Sequence, residues 1–147
     1  MLSDKEKSFL QKKIKNISST NEKIKVLLRE KLIQDLKNKN QLKKQFKKKI
    51  LKCEKEFFYL YNTANDMWLL AGDKSIDYNF YTKRIILSGI LSKLYLKIFL
   101  IKDYDQENLF DDIKLEIEKV GKFNKLKSEF LNFFKNIKNP KKNTRGY

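Results

Sequence analysis

A chain of 147 residues suffices for one compact domain or one long helical hairpin, and not for two ordinary domains with separate cores. It contains no histidine and a single cysteine, which excludes imidazole catalysis, Cys/His zinc sites, Ser-His-Asp triads and intrachain disulfides. Lys and Arg number 34 against 18 Asp and Glu, and the formal charge of +16 points to an anionic partner: nucleic acid, acidic lipid or an acidic protein surface.

The first thirteen residues have no apolar stretch of signal-peptide type, so the expected location is cytoplasmic. From Leu2 to Leu70 there is neither Pro nor Gly, and helix formers dominate. This predicts one long helical arm. Ser19 and Glu22 have the spacing of a capping box, which permits a break at 18–21. From Leu42 onward, Phe46, Ile50, Cys53, Phe57, Leu60, Ala64, Met67 and Ala71 recur at intervals of four and three, the seam of a helix that faces another. Cys53 reads as a small hydrophobe in that seam.

Residues 71–76 hold Gly72 beside Asp73 and Ser75, which end one helix and start the next. Gly72-Asp73-Lys74-Ser75 lacks the rest of a phosphate loop and reads as a turn. A second arm then runs to about Asn139 and stops at Pro140, with Leu87, Leu91, Leu94, Ile98 and Ile101 continuing the seam. Residues 85–101 approach the length of a membrane span, but Lys93 and Lys97 lie one turn apart within them and argue for a wide apolar face that packs on both sides. Asp103 to Glu107 permits a second break, and Gly121 weakens the helix locally; a three- or four-helix bundle is the architectural alternative.

Residues 37–55 carry nine Lys and one acidic residue, whereas residues 101–118 carry seven acidic residues and two Lys. A hairpin turning near residue 73 lays these opposite runs side by side. The acidic group Asp103, Asp105, Glu107, Asp111 and Asp112 lacks the Gly and terminal Glu of an EF-hand and reads as a solvated face, not a metal site. The expected fold is therefore all-α: a long two-helix antiparallel coiled-coil hairpin over 1–139, about 90 Å long, with a turn near residues 71–76 and a basic flexible tail over 140–147.

Tyr59, Asn62, Asp66 and Met67, in YLYNTANDM, are followed by Asp77-Tyr78-Asn79-Phe80-Tyr81 at the start of the second arm. This pattern resembles the flagellar type III export protein FliJ. The resemblance implies a non-enzymatic, cofactor-free coiled coil at the inner face of the cell membrane, where it would join the export ATPase FliI to the cytoplasmic domain of the export gate FlhA and assist export chaperones. It also implies a gate-binding set made of Tyr59, Tyr81 and Ile85. The alternative function is non-specific nucleic-acid binding through Lys43, Lys44, Lys47, Lys48 and Lys52. Sequence-specific recognition is not expected, because the run has no Arg and no helix-turn-helix pattern accompanies it.

Overall fold

The computed structural model describes residues 1–50, 53–76 and 78–138, and among them the structure is entirely helical. Six helices follow one another: α1 (Asp4–Ile14), α2 (Thr20–Lys37), α3 (Lys39–Ile50), α4 (Cys53–Leu70), α5 (Tyr78–Leu100) and α6 (Gln106–Lys138). Residues 1–114 form one compact unit, and residues 115–147 form a second, whose described part is the remainder of α6.

The all-α expectation holds, but the first arm is not continuous. It breaks between Ile14 and Thr20 and again at Asn38, between α2 and α3; residues 51–52, between α3 and α4, lie outside the described residues. The break near 18–21 is real: α2 starts after Ser19, whose hydroxyl accepts from the Glu22 backbone N–H at 3.5 Å. A full capping box forms instead at α1, where Ser3 and Glu6 each satisfy the other's backbone N–H. The second arm also breaks, between Leu100 and Gln106, and Asp105 caps α6 by accepting from the Asn108 backbone N–H at 2.9 Å. Each of these caps satisfies donors that a continuous helix would leave to the preceding turn.

The first unit is held by apolar side chains that the helical period brings inward. Leu10 of α1, Leu27, Leu28 and Leu32 of α2, Ala64 and Met67 of α4, and Leu91, Leu94 and Ile98 of α5 are all fully buried. Truncating any of the large ones would cost roughly 2–5 kcal/mol. The predicted seam is confirmed at Ala64, Met67, Ala71, Leu87, Leu91, Leu94 and Ile98, while Ile101 lies exposed beyond the end of α5. The side chains of Phe46, Ile50, Cys53 and Phe57 lie outside the described residues, as do Pro140 and the tail over 140–147.

The turn falls where it was expected. The Gly72 N–H donates to the Leu69 carbonyl and the Asp73 N–H to the Trp68 carbonyl, each at 3.0 Å, a Schellman closure of α4. It places Gly72 at φ +80°, a conformation that an L side chain resists. The hairpin so formed, α4 against α5, sets Asn65 beside Arg84 and Trp68 beside Lys83.

The basic run does reach the start of the 101–118 segment, but the described lysines bonded there meet backbone carbonyls rather than carboxylates. Lys39 and Lys43 donate to the carbonyls of Ile101 (2.7 Å) and Phe99 (3.0 Å), at the end of α5, where unpaired carbonyls and the negative pole of the helix attract cations. The acidic Asp112 is taken by Lys97 of α5 and by the Tyr104 hydroxyl.

Candidate functional site

α5 presents two faces. Leu87, Ile90, Leu91, Leu94, Tyr95 and Ile98 point into the core. On the opposite side Tyr78, Tyr81, Ile85, Leu96 and Leu100 are each more than half exposed, with Gly89 and Lys93 between the two apolar groups. Their spacing follows the helical period, so they form one stripe. Leu69 of α4 and Ile76 of the turn are also exposed, at 57% and 75%. The 23 residues of α5 include two Lys, Lys93 and Lys97, besides Lys83 and Arg84, and no Asp or Glu. The result is a surface of two apolar groups with the exposed Lys93 between them.

Beneath the hairpin end lies a compact polar cluster. Asp73 is almost completely buried and accepts from Lys83 Nζ (2.8 Å), Arg84 Nη1 (3.2 Å), Ser75 Oγ (2.6 Å) and the Ser75 backbone N–H (3.3 Å). Burial pushes its carboxyl up, but hydrogen bonds from Lys83, Ser75 and Arg84 outweigh it and hold the group well below the usual carboxylate range. Arg84 is fully buried. Its Nε donates to Asn65 Oδ1 at 2.8 Å, its Nη1 also donates to the Phe80 carbonyl at 2.8 Å, and its carbon centre stacks 3.4 Å from the Phe80 ring. Lys83 Nζ stands 5.1 Å from the ring centre of Trp68, whose indole N–H donates to the Lys83 carbonyl.

A second buried network joins α1, α2 and α5. Lys31 Nζ donates to Asp35 Oδ1 (2.7 Å) and Glu6 Oε1 (2.8 Å), and the Tyr95 hydroxyl donates to Asp35 Oδ2. Desolvation lowers the Lys31 pKa, yet the charge and hydrogen bonds of Asp35 and Glu6 reverse this and leave it raised. Tyr95 is raised far above an ordinary phenol by burial and by Asp35.

The residues singled out from the sequence are distributed among these features. Tyr81 and Ile85 share the exposed stripe. Tyr59 does not join them: it is half-buried near Lys31, burial raises its phenol, and α4 runs antiparallel to α5, which places it well down the hairpin from Tyr81. Among the basic set, Lys43 is occupied at the end of α5 and Lys44 is exposed. The side chains of Lys47 and Lys48, and all of Lys52, lie outside the described residues. Sequence reasoning missed Arg84, Lys31, Asp35 and Tyr95. A signal for two of them was present, since Ile24, Leu28, Lys31 and Asp35 fall at alternating intervals of four and three and so put two charges on an apolar face.

Residues 54–124 match the family model described as COQ9. The matched segment makes up just under half of the chain and takes in nearly all of α4, the turn, α5 and the first half of α6. No curated protein and no solved structure matches the chain. The match overturns the flagellar reading, because residues 59–81, which carried that resemblance, lie wholly inside the segment now matched to a different family. The partners drawn from it, FliI, FlhA and export chaperones, fall with it. The nucleic-acid alternative gains no support: the two lysines of the run that can be followed to a partner, Lys39 and Lys43, end on the chain's own carbonyls.

Proposed function

We propose that this chain is a non-enzymatic accessory protein of coenzyme Q biosynthesis that works at a membrane surface. The observation that carries this reading is the COQ9 match over the segment that also bears the exposed apolar stripe of α5. An isoprenoid quinone pathway handles long apolar chains, and a surface of Tyr78, Tyr81, Ile85, Leu96 and Leu100 offers such molecules, or the bilayer that holds them, a contact stabilised by about 25 cal/mol per Å² of apolar area removed from water. Lys93, exposed between the two apolar groups, would face anionic headgroups. Among the described residues no helix is long and apolar enough to cross a membrane, and the contact proposed is with its surface. A chain with no histidine and one cysteine is better suited to binding and presenting a molecule than to transforming it.

The test has two arms. Deleting the gene should lower the cellular content of isoprenoid quinone, measured by mass spectrometry, and the wild-type gene should restore it. Restoration should fail with Tyr81→Asp/Ile85→Asp. In the second arm, the purified double variant should lose sedimentation with vesicles of phosphatidylglycerol and phosphatidylcholine while keeping its helicity. Unchanged quinone levels on deletion would overturn the pathway assignment; undiminished vesicle binding by the variant would overturn the surface.

A further inference from the structure

Arg84 has one nitrogen that the fold does not use. Nε is satisfied by Asn65, and Nη1 by Asp73 and the Phe80 carbonyl, but Nη2 is sealed from solvent and has no hydrogen-bond partner. Buried polar groups in folded proteins are almost always paired, so an orphan on a charged side chain calls for an acceptor. Charge points the same way. Lys83 and Arg84 grip opposite oxygens of the single carboxylate of Asp73, which leaves the cluster one positive charge in excess. Among the described residues Asp73 is the only acid hydrogen-bonded to either cation, and it faces Nη1, so the remaining arm of the fork is the one not turned toward a described carboxylate.

We propose that the Arg84–Lys83 cluster at the α4–α5 turn is a binding site for an oxyanion, a carboxylate or phosphate group. Nη2 of Arg84 supplies a planar N–H donor held rigid by Asn65 and by the stack on Phe80, the geometry that carboxylate and phosphate oxygens accept best. Lys83 supplies the entrance. Its side chain is 39% exposed, and swinging its ammonium away from Asp73 opens the cluster to solvent and offers the entering anion a second cation. Trp68 reports on the event, because its ring lies under Lys83 and it is the chain's one tryptophan. The site stands on the cluster alone and is independent of the quinone reading.

The experiment is a titration of the full chain with inorganic phosphate and with acetate, followed by Trp68 fluorescence, against sodium chloride at the same ionic strength. A saturable change with half-saturation on the order of a millimolar is expected for the oxyanions and not for chloride. Arg84→Lys keeps the charge but removes the fork, and should abolish saturation; Lys83→Gln should weaken it about tenfold. Should Arg84→Lys fail to fold, as judged by circular dichroism, Lys83→Gln decides, since more than a third of that side chain is already in solvent. Fluorescence that follows ionic strength alike for all three salts, or saturation unchanged in Lys83→Gln, would overturn the site.

Discussion

Lys31 and Arg84 are both cations withdrawn from water into the first unit, and the fold treats them differently. Lys31 is given two carboxylates, Asp35 and Glu6, and the remaining oxygen of Asp35 is closed by Tyr95. Arg84 is given half of one carboxylate, shared with Lys83, and keeps an unpaired nitrogen. The first arrangement is a buried network that ties α1 and α5 to α2 and sets two carboxylates against one ammonium. The second has spare donor capacity and sits beside a flexible lysine at the end of a hairpin. A buried charge that serves structure is satisfied completely, whereas one left short of acceptors is available for something that is not part of the chain.

The contrast can be broken by mutation. The largest effect is expected from Asp35→Ala, which strands a buried ammonium and removes the acceptor of a buried phenol; urea denaturation should show a loss of about 3–5 kcal/mol. Asp73→Ala should cost less, about 2–3 kcal/mol by the same measurement, because Lys83 can return to water and Arg84 keeps Asn65 and the Phe80 carbonyl. A reversal of that order would mean that the turn cluster, and not the α2 network, is the closed structural lock.

Stability against pH sharpens the comparison. Asp73 and Glu6 have carboxyls held low in the folded state, so their contribution is complete above the ordinary carboxylate range and is lost as pH falls through and below it. Both clusters therefore weaken in acid. Lys31 and Tyr95 are raised, so theirs is complete below about pH 10 and is lost as pH rises further. The α2 network should weaken in alkali, and the alkaline slope of urea midpoints should shrink in Tyr95→Phe. The smallest effect is expected from Lys83→Met, below about 1 kcal/mol, since more than a third of the lysine side chain is in solvent.

Much of the architecture was legible because it rests on period and punctuation. The helical class, the inward residues of α5, the turn at Gly72 and the break after residue 17 all follow from spacing and capping chemistry. The interruption at Asn38, where α2 ends, was not legible, since Lys37 and Lys39 on either side are good helix formers and neither Gly nor Pro marks it. The basic run misled for a related reason: helix carbonyls that become acceptors for Lys39 and Lys43 have no trace in side-chain composition. The candidate site was half visible. Tyr81 and Ile85 were singled out and share the exposed stripe, whereas Tyr59, named with them, is half-buried elsewhere on the hairpin. Arg84 was invisible, because the sequence alone does not show that a charge at a helix start will be fully enclosed.

The stripe on α5 also has a colloidal consequence. A row of exposed Tyr, Ile and Leu invites two molecules to stick, and what opposes the encounter in dilute buffer is the mutual repulsion of chains that each carry a formal charge of +16. That repulsion reaches about 10 Å at 0.1 M salt and only about 3 Å at 1 M. The protein should therefore be monodisperse at low ionic strength and self-associate as salt is added, opposite to the behaviour of proteins that aggregate through charge attraction.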